Sequence, residues 1–401
     1  MLPNVYLSEV IPAYNEEKGI AEIACRVLSV APDLKHAGVD QLELLIVDDG
    51  SKDRTAEVAS KIAGVNLICH PRNKGYGAAL KTGFSKARGE LIGFLDADGT
   101  YPPEYFPHLC RAALNDMDLV IGSRMAGAES KMPLTRRVGN FFFATLLTVL
   151  SHQKVTDSAS GMRVFKREIL EQIYPLPDGL NLTPVMSTRA LHEGINIGEV
   201  PIPYSERVGR SKLSVIRDGR IFLQSMVWTV LSYNPVRILG MIGATGIGIA
   251  ALVFLGIVIA RLQGITTLGP WGVVALFLAL ISSVAGINIF ALGVTFNYLV
   301  SLFYRRPIRQ GLFGKPIFKS PLDLHFGWMG MIAVVLGLAI ALVSLALGVQ
   351  GWDIERLWFY LLGSALLFLA GIQLIIYWLL LRILEELSKR EFLTKQDMGL
   401  N

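Results

Sequence analysis

The sequence predicts an α/β domain built on a doubly wound, mostly parallel sheet, followed by interfacial helices and a four-helix transmembrane domain. Composition gives the first indication. Of the 401 residues, 52% are hydrophobic and only 18% are charged, whereas soluble domains carry about 25% charged residues. This deficit excludes a disordered chain and favours a membrane protein. The net charge is +5, but no basic stretch is interleaved with stacking aromatics, so we expect no nucleic-acid partner.

The apolar excess lies in the second half of the chain. Uncharged runs occupy residues 238–260, 271–303, 326–352 and 357–381, and each exceeds the roughly 20 residues that a helix needs to cross a bilayer. We therefore predict four parts: a cytosolic domain over 1–213, an interfacial amphipathic helix over 214–235, four transmembrane helices over 236–385, and a cytosolic tail over 386–401.

Basic residues between these runs predict the topology. Six lie in 207–237, one at 261, five in 305–319, one at 356 and four in 382–395. This alternation fits the positive-inside rule for four crossings. The N-terminus shows no signal-peptide pattern. We expect a multi-pass protein of the cell membrane with both termini and the first domain in the cytoplasm.

The first half alternates between strand and helix patterns. Strands are predicted at 5–12, 42–47, 65–69, 91–95 and 119–121, with helices at 17–30, 53–62 and 75–87. The near-continuous apolar run 42–47 is typical of a parallel strand buried on both faces, whereas Glu9 is an odd residue inside the first strand. Polar clusters follow five strands, where ligands of such sheets bind.

Three cysteines, Cys25, Cys69 and Cys110, are widely separated. An odd number without a CxxC pair argues against a disulfide framework or a zinc site. We predict that all three are buried reduced thiols, since free cysteine is usually buried.

Asp96 and Asp98 flank a small residue directly after a predicted strand. Two carboxylates this close suit a hard cation, Mg²⁺ or Mn²⁺, although a solvated turn is the alternative. Asp48 and Asp49 could accept hydrogen bonds from a nucleobase or ribose, or form a turn and helix cap. No GxxxxGK[ST] motif occurs, and no GxGxxG follows the first strand, which argues against a P-loop or a dinucleotide oxidoreductase.

Six segments together resemble the family-2 glycosyltransferases of GT-A fold: PAYNEE (12–17), VDDGS (47–51), NKGYGAALKTG (73–83), DADGTYPPE (96–104), GSR (122–124) and SGMRVFKRE (160–168). The stretch EVPIPYSERVGRSKL (199–213) is similar to the polyprenol-phosphate glycosyltransferases, such as dolichol-phosphate mannose synthases. The resemblance implies an inverting, membrane-bound enzyme. It would move a hexose from a nucleoside-diphosphate sugar to a polyprenyl (dolichyl or undecaprenyl) phosphate at the cytosolic face. A homo-oligomer is compatible with this expectation.

The resemblance also implies roles for particular residues. Asp96 and Asp98 would hold the Mg²⁺ or Mn²⁺ ion, and together with Arg124 and Arg207 they would be catalytic. Arg124, Arg137 and Arg207 would meet the acceptor phosphate. The nucleotide sugar would be bound by the following residues: Pro12, Tyr14, Glu16, Val47, Asp49, Ala97 and Lys212.

Two positions depart from the mannose synthases. Thr100 stands where those enzymes often carry a glutamine ligand, and a hydroxyl is the weaker ligand. The stretch 181–184 is uncharged where an acidic residue is common, so the sugar stays open. Asp157 could align an acceptor or Arg163, or cap a loop.

Two helical stretches bear on the lipid. Residues 215–231 mix apolar and basic side chains, as interfacial helices do. Residues 141–150 are too short to span and would be either interfacial or core. A processive polysaccharide synthase is one alternative function, but Val227 stands at the arginine position of its QxxRW motif. A nucleotide-sensing transporter or flippase is another, but the four runs lack the ionisable residues expected of it.

Overall fold

The computed structural model describes residues 5–126, 132–151, 155–205, 215–265, 269–304 and 322–397. The chain divides into two compact units, Met1–Val230 and Leu231–Asn401.

The first unit is built on a seven-stranded sheet with the order β3-β2-β1-β4-β6-β5-β7. Neighbouring strands run parallel, except that β6 is antiparallel to both β4 and β5. The mostly parallel sheet is therefore confirmed. The strands are β1 (Tyr6–Ala13), β2 (Gln41–Asp48), β3 (Val65–Cys69), β4 (Leu91–Phe94), β5 (Leu119–Ser123), β6 (Arg163–Lys166) and β7 (Ile197–Pro201).

Helices cover both faces of this sheet, as a doubly wound fold requires. One core packs α1 and α5 against one face, and the other packs α4, α6 and α8 against the opposite face. The helices are α1 (Ile20–Ser29), α2 (Ala31–His36), α3 (Thr55–Ser60), α4 (Tyr76–Lys86), α5 (Phe106–Leu114), α6 (Leu134–Ser151), α7 (Leu170–Ile173), α8 (Leu182–Glu193) and α9 (Val215–Tyr233). Strands β6 and β7 were not predicted, because they are short and lie in stretches without a long apolar run.

Glu9, the odd residue in β1, is fully buried. Its carboxylate oxygens have no hydrogen-bond partner among the described residues. A Cβ at Gly93 on the neighbouring strand would collide with Glu9 Oε2, so this glycine makes room for the side chain. Burial raises the pKa of Glu9 well above its usual value.

The prediction of three buried thiols is wrong for two of them. Cys110 is buried, but Cys25 and Cys69 are exposed. Cys25 lies on the outer side of α1, whose buried residues include Ile23 and Val27. Cys69 ends β3, which is an edge strand.

The second unit contains four helices long and apolar enough to cross a membrane: Pro235–Leu262, Pro270–Val300, Phe326–Val349 and Arg356–Glu386. They belong to α10 (Pro235–Leu262), α11 (Pro270–Tyr304), α12 (Phe326–Val349) and α13 (Ile354–Asp397). The four predicted runs are thereby confirmed as helices. The basic loop 305–319 lies outside the described residues.

Glycines allow these helices to approach closely in two pairs. A Cβ at Gly243 would lie 2.6 Å from Gly286 O, and one at Gly286 would lie 2.7 Å from Gly243 O. Gly330 and Gly371 form the same reciprocal contact between α12 and α13, at 2.7 and 2.6 Å. Small residues at such crossings permit the close backbone packing that drives helix association in lipid.

Candidate functional site

A cavity of about 510 Å³ lies at the carboxyl ends of the strands. Eight predicted site residues line it: Pro12, Tyr14, Glu16, Asp49, Asp96, Ala97, Asp98 and Arg124. Val47 does not, because its side chain is fully buried in the core beside α4. Arg137 is exposed and does not line the cavity, whereas its neighbour Arg136 does. Arg207 and Lys212 lie outside the described residues.

The loop after β1 is tied to the loop after β2. Ser51 Oγ accepts the Asn15 N–H at 2.9 Å, and Asn15 Oδ1 accepts the Lys52 N–H at 2.8 Å. Thr55 Oγ1 accepts the Glu16 N–H at 2.8 Å. These bonds set the backbone that carries Tyr14 and Glu16, both of which line the cavity.

Asp49 is buried and holds the loop that precedes α4. Its Oδ2 accepts the Gly75 N–H at 2.8 Å, and its Oδ1 accepts the Lys74 N–H at 2.9 Å. His70 Nδ1 lies 2.7 Å from Asp49 Oδ1, and His70 Nε2 lies 3.0 Å from Thr82 Oγ1. Sequence reasoning missed His70, although it follows the predicted strand 65–69 directly.

The carboxylates of Asp96 and Asp98 have different partners. Tyr76 donates its hydroxyl to Asp96 Oδ1 at 2.8 Å. Thr100 donates both its hydroxyl and its N–H to Asp98 Oδ1, at 2.6 and 3.2 Å. The hydroxyl of Thr100, considered above as a weak metal ligand, therefore acts as a donor to a carboxylate.

These two side chains fit a divalent cation by their donor chemistry. Both offer hard oxygen ligands, and both line the cavity. Within the described ranges, no group of three or more His, Cys, Asp or Glu residues could hold a metal. Mg²⁺ is commonly bound by one or two carboxylates together with substrate phosphates and water. The residues present therefore fit a cation that is completed by a diphosphate.

Arg124 makes a bidentate ion pair with Asp157. Its Nε and Nη2 donate to the two carboxylate oxygens at 2.7 and 2.8 Å. The backbone N–H of Arg124 also donates to Asp157 Oδ2, at 3.0 Å. The guanidinium also lies 5.7 Å from the Tyr101 ring centre and 5.4 Å from that of Tyr204. Burial acts to raise the pKa of Asp157, but the charge and hydrogen bonds of Arg124 outweigh it and lower that pKa.

Asp157 thus aligns Arg124. Arg163 instead donates to the carbonyls of Ser158 and Ser160, at 2.8 and 3.1 Å. Glu199, at the start of the stretch 199–213, accepts the N–H groups of Thr156 and Asp157 at 2.8 and 3.1 Å. The loop that carries Asp157 is therefore fixed by β7.

Helices α6 and α9 also line the cavity, with the aromatic Phe143 and Phe222 and with the polar Thr135, Arg136 and Asn140. Met132, just before α6, lines it as well. Helix α6 is longer than the predicted stretch 141–150. Ala144 and Leu147 are buried in the unit, and an opposite apolar face is exposed. That exposed face comprises Leu134, Val138, Phe141, Phe142 and Val149.

Two family models match the chain. The model described as glycosyl transferase family 2 matches residues 8–174. A domain of unknown function, DUF8752, matches residues 235–395, the four-helix unit.

Three curated relatives are named as sugar transferases that act on dolichyl or undecaprenyl phosphate. A dolichyl-phosphate hexose transferase of Haloferax volcanii is 34% identical over 221 residues, which cover 55% of this chain and 92% of the relative. An undecaprenyl-phosphate 4-deoxy-4-formamido-L-arabinose transferase of Photorhabdus laumondii is 29% identical, covering 74% of this chain and 89% of the relative. A dolichyl-phosphate beta-glucosyltransferase of Trichomonas vaginalis is 29% identical, covering 56% and 74%.

Among solved structures, a glucosyl-3-phosphoglycerate synthase of Mycobacterium tuberculosis aligns with a TM-score of 0.46 and 21% identity. The alignment covers 56% of this chain and 78% of that one.

Proposed function

The chain belongs to glycosyl transferase family 2, and from this premise we propose that it moves a hexose from a nucleoside-diphosphate sugar to a polyprenyl phosphate. It is a glycosyltransferase of GT-A fold, and its relatives are named for transfer to dolichyl or undecaprenyl phosphate. One observation carries the finer proposal. A single cavity is lined by the carboxylate pair, by Arg124 and by residues of α6 and α9. The part lined by Phe143 of α6 and Phe222 of α9 is called the apolar end below.

The donor would occupy the end of the cavity beneath the loops after β1 and β4. Pro12, Tyr14 and Glu16 would contact the nucleoside, and Asp49 would keep the 73–75 loop closed around it. Asp96 and Asp98 would hold Mg²⁺ or Mn²⁺ against the diphosphate, with Ala97 between them. The cation, when bound, would neutralise charge on the departing diphosphate.

Arg124 lines the same cavity as this pair. Asp157 takes two of its donors, Nε and Nη2. We propose that Nη1 meets the acceptor phosphate, and that Arg207 and Lys212 add positive charge there. Two unit charges of like sign about 4 Å apart repel by roughly 4 kcal/mol at an effective dielectric near 20, so the two anionic substrates need such cations to approach.

The reaction would be a direct displacement with inversion. An oxygen of the lipid phosphate forms a bond to the anomeric carbon, and the bond from that carbon to the diphosphate breaks. The electron pair leaves with the nucleoside diphosphate. The attacking oxygen is already ionised near pH 7, because the second pKa of a phosphate monoester is about 6. Positioning rather than deprotonation is therefore what the protein must supply.

The apolar end would receive the first part of the polyprenyl chain. Exposed apolar residues on α6 continue away from the cavity, and α9 adds Ile221, Leu223 and Trp228. Such surfaces on a soluble domain mark contact with a membrane or a partner. We propose that both helices lie at the cytosolic face of the bilayer.

The decisive experiment is transfer by the purified full chain. It would be incubated with Mn²⁺, dolichyl or undecaprenyl phosphate, and a panel of GDP- and UDP-sugars. We expect one lipid-linked monosaccharide by mass spectrometry. Lipids carrying several sugars would instead favour a processive synthase, and no lipid product with any donor would refute the proposal.

Topology can be tested by labelling of introduced cysteines. Cys25 and Cys69 are exposed and must first be replaced by serine. Cysteines at Thr267 and Gly351 should then react with an impermeant reagent from outside the cell, and one at Gln310 only after the membrane is opened. External labelling at Gln310 would overturn the four-span arrangement with cytoplasmic termini.

A further inference from the structure

Tyr76 is the first residue of α4, and its side chain lines the cavity. Its hydroxyl donates to Asp96 Oδ1 at 2.8 Å. An ordinary phenol is protonated near pH 7, so the Tyr76 hydroxyl is available as the donor of this bond.

The backbone on either side of Tyr76 is fixed. Gly75 has a φ of 107°, and a Cβ there would lie 2.5 Å from Asp178 O. A Cβ at Gly77 would collide with Pro177 O. The Gly75 N–H is in turn held by Asp49 Oδ2 at 2.8 Å. Because both neighbours are packed without space, the start of α4 cannot shift without moving the 177–179 backbone.

Asp96 is confined from the opposite side by Gly161. A Cβ at Gly161 would lie 2.5 Å from Asp96 Oδ2 and 2.7 Å from Asp96 Oδ1, so the carboxylate lies against that backbone. The Gly161 N–H is held by the hydroxyl of Tyr101 at 2.7 Å. Next to it, Ser160 O accepts a bond from Arg163 Nε at 3.1 Å, and Arg163 is fully buried.

The two carboxylates of the pair are therefore held in different ways. Asp98 is bonded within its own turn by Thr100. Asp96 lies between a phenol from α4 and a glycine backbone that precedes β6. We therefore expect a substitution at Tyr76, which is distant in sequence from the pair, to affect the orientation of Asp96 more than that of Asp98.

We propose that Tyr76 is a positioning residue that fixes the orientation of the Asp96 carboxylate for the cation and diphosphate. This role rests on the proposed function. Without the phenol hydroxyl, the carboxylate loses one of the contacts that fix its orientation before the cation–diphosphate complex binds. Because hydrogen bonds to charged groups are stronger than those between neutral groups, we expect Tyr76→Phe to weaken Mn²⁺ binding in the presence of nucleoside diphosphate roughly tenfold or more.

The test compares Tyr76→Phe with Tyr105→Phe in the full chain. Tyr105 faces His108, with ring centres 5.6 Å apart, and does not line the cavity. Free Mn²⁺ would be followed by electron paramagnetic resonance during titration with GDP and UDP. Thermal denaturation would show whether each variant is folded. We expect the KM for the donor to rise in Tyr76→Phe and the KM for the lipid to stay unchanged.

Two outcomes would overturn the inference. One is wild-type Mn²⁺ affinity in folded Tyr76→Phe while Asp98→Asn loses binding. The other is an equal rise in the KM values for donor and lipid. A different result would refute the proposed function, namely that the wild-type chain transfers no sugar to any polyprenyl phosphate. Because Mn²⁺ binding with a nucleoside diphosphate needs no lipid, the titration still tests Tyr76 in that case.

Discussion

The two ends of the cavity are built in opposite ways. At the end formed by the strand loops, charged side chains are bound by neighbours before any ligand arrives, as in the bonds of Tyr76 to Asp96 and Asp157 to Arg124. At the end formed by α6 and α9, Phe143 and Phe222 line the cavity beside the polar Thr135, Arg136 and Asn140, and both helices expose further apolar side chains. The first end is ordered by hydrogen bonds within the protein, and we propose that the second is completed by a lipid chain.

This difference matches the two proposed substrates. Stabilising a departing diphosphate requires charges that are already oriented, because reorientation during reaction would cost free energy. An isoprenyl chain requires only apolar area, which is not directional. Substitutions at the strand-loop end should therefore have large effects, and those near the lipid end should have small ones.

The largest effect should follow from Asp98→Asn. Loss of one carboxylate weakens the hold on the cation, and we expect transfer to fall at least about a hundredfold, or roughly 2.7 kcal/mol of barrier. EDTA should act similarly on the wild-type chain. Asp116→Asn is the matched control, because Asp116 has a φ of 72° that asparagine tolerates. Full activity in EDTA would show that no divalent cation acts at the strand-loop end.

Asp157→Asn should have the next largest effect, through Arg124. Breaking a buried ion pair costs about 3–5 kcal/mol, so we expect a lower melting temperature at pH 7 and a roughly tenfold to hundredfold loss of transfer. The pKa of folded Asp157 is lowered. The pair therefore stabilises the protein above the unfolded-state pKa, and this contribution is lost as the pH falls through the folded-state pKa.

The pH dependence provides the check on this prediction. The difference in melting temperature between wild type and Asp157→Asn should be largest at neutral pH and should shrink in acid. A difference that stays constant down to about pH 3, below the usual aspartate pKa of about 3.9, would contradict the ion-pair explanation.

Thr100→Val tests the other member of the carboxylate pair. Its hydroxyl donates to Asp98 Oδ1, and removing a bond to a charged group should reduce the donor kcat/KM roughly tenfold. Thr100→Ser keeps the hydroxyl and serves as the matched control. If valine and serine give equal activity, Asp98 does not depend on this bond, and the strand-loop end is less preorganised than we infer.

Much of this arrangement was predictable from the sequence. The strands 42–47 and 91–95 are apolar runs followed by acidic residues, and both are confirmed as β2 and β4. The position of a ligand site at their carboxyl ends follows from the parallel topology. The four apolar helices follow from composition and length alone.

The partners of the site residues were not predictable, because they come from distant parts of the chain. Arg124 and Asp157 are 33 positions apart, and Tyr76 and Asp96 are 20 apart. Tyr76 lies within the segment 73–83, which resembles the family motif, but the sequence predicted no role for it. The sequence also did not show which side of α6 each of its two arginines occupies. Arg136, which lines the cavity, and Arg137, which is exposed, are adjacent in the sequence, and nothing in the sequence distinguishes the two arginines.

Substitution of Arg137 should have the smallest effect, and its comparison with substitution of Arg136 tests the apolar end of the cavity directly. Arg137 is exposed on the same helix as the apolar surface of α6, so its charge should attract anionic lipid without meeting the reacting phosphate. A basic residue near an anionic membrane contributes about 1 kcal/mol. Arg137→Gln should therefore raise the KM for polyprenyl phosphate roughly fivefold in anionic vesicles, with no change in kcat. The rise should vanish in neutral vesicles. Arg136→Gln is the matched comparison, and because Arg136 lines the cavity, its effect should persist in neutral vesicles. An equal response of both variants to vesicle charge would mean that neither arginine meets the acceptor phosphate.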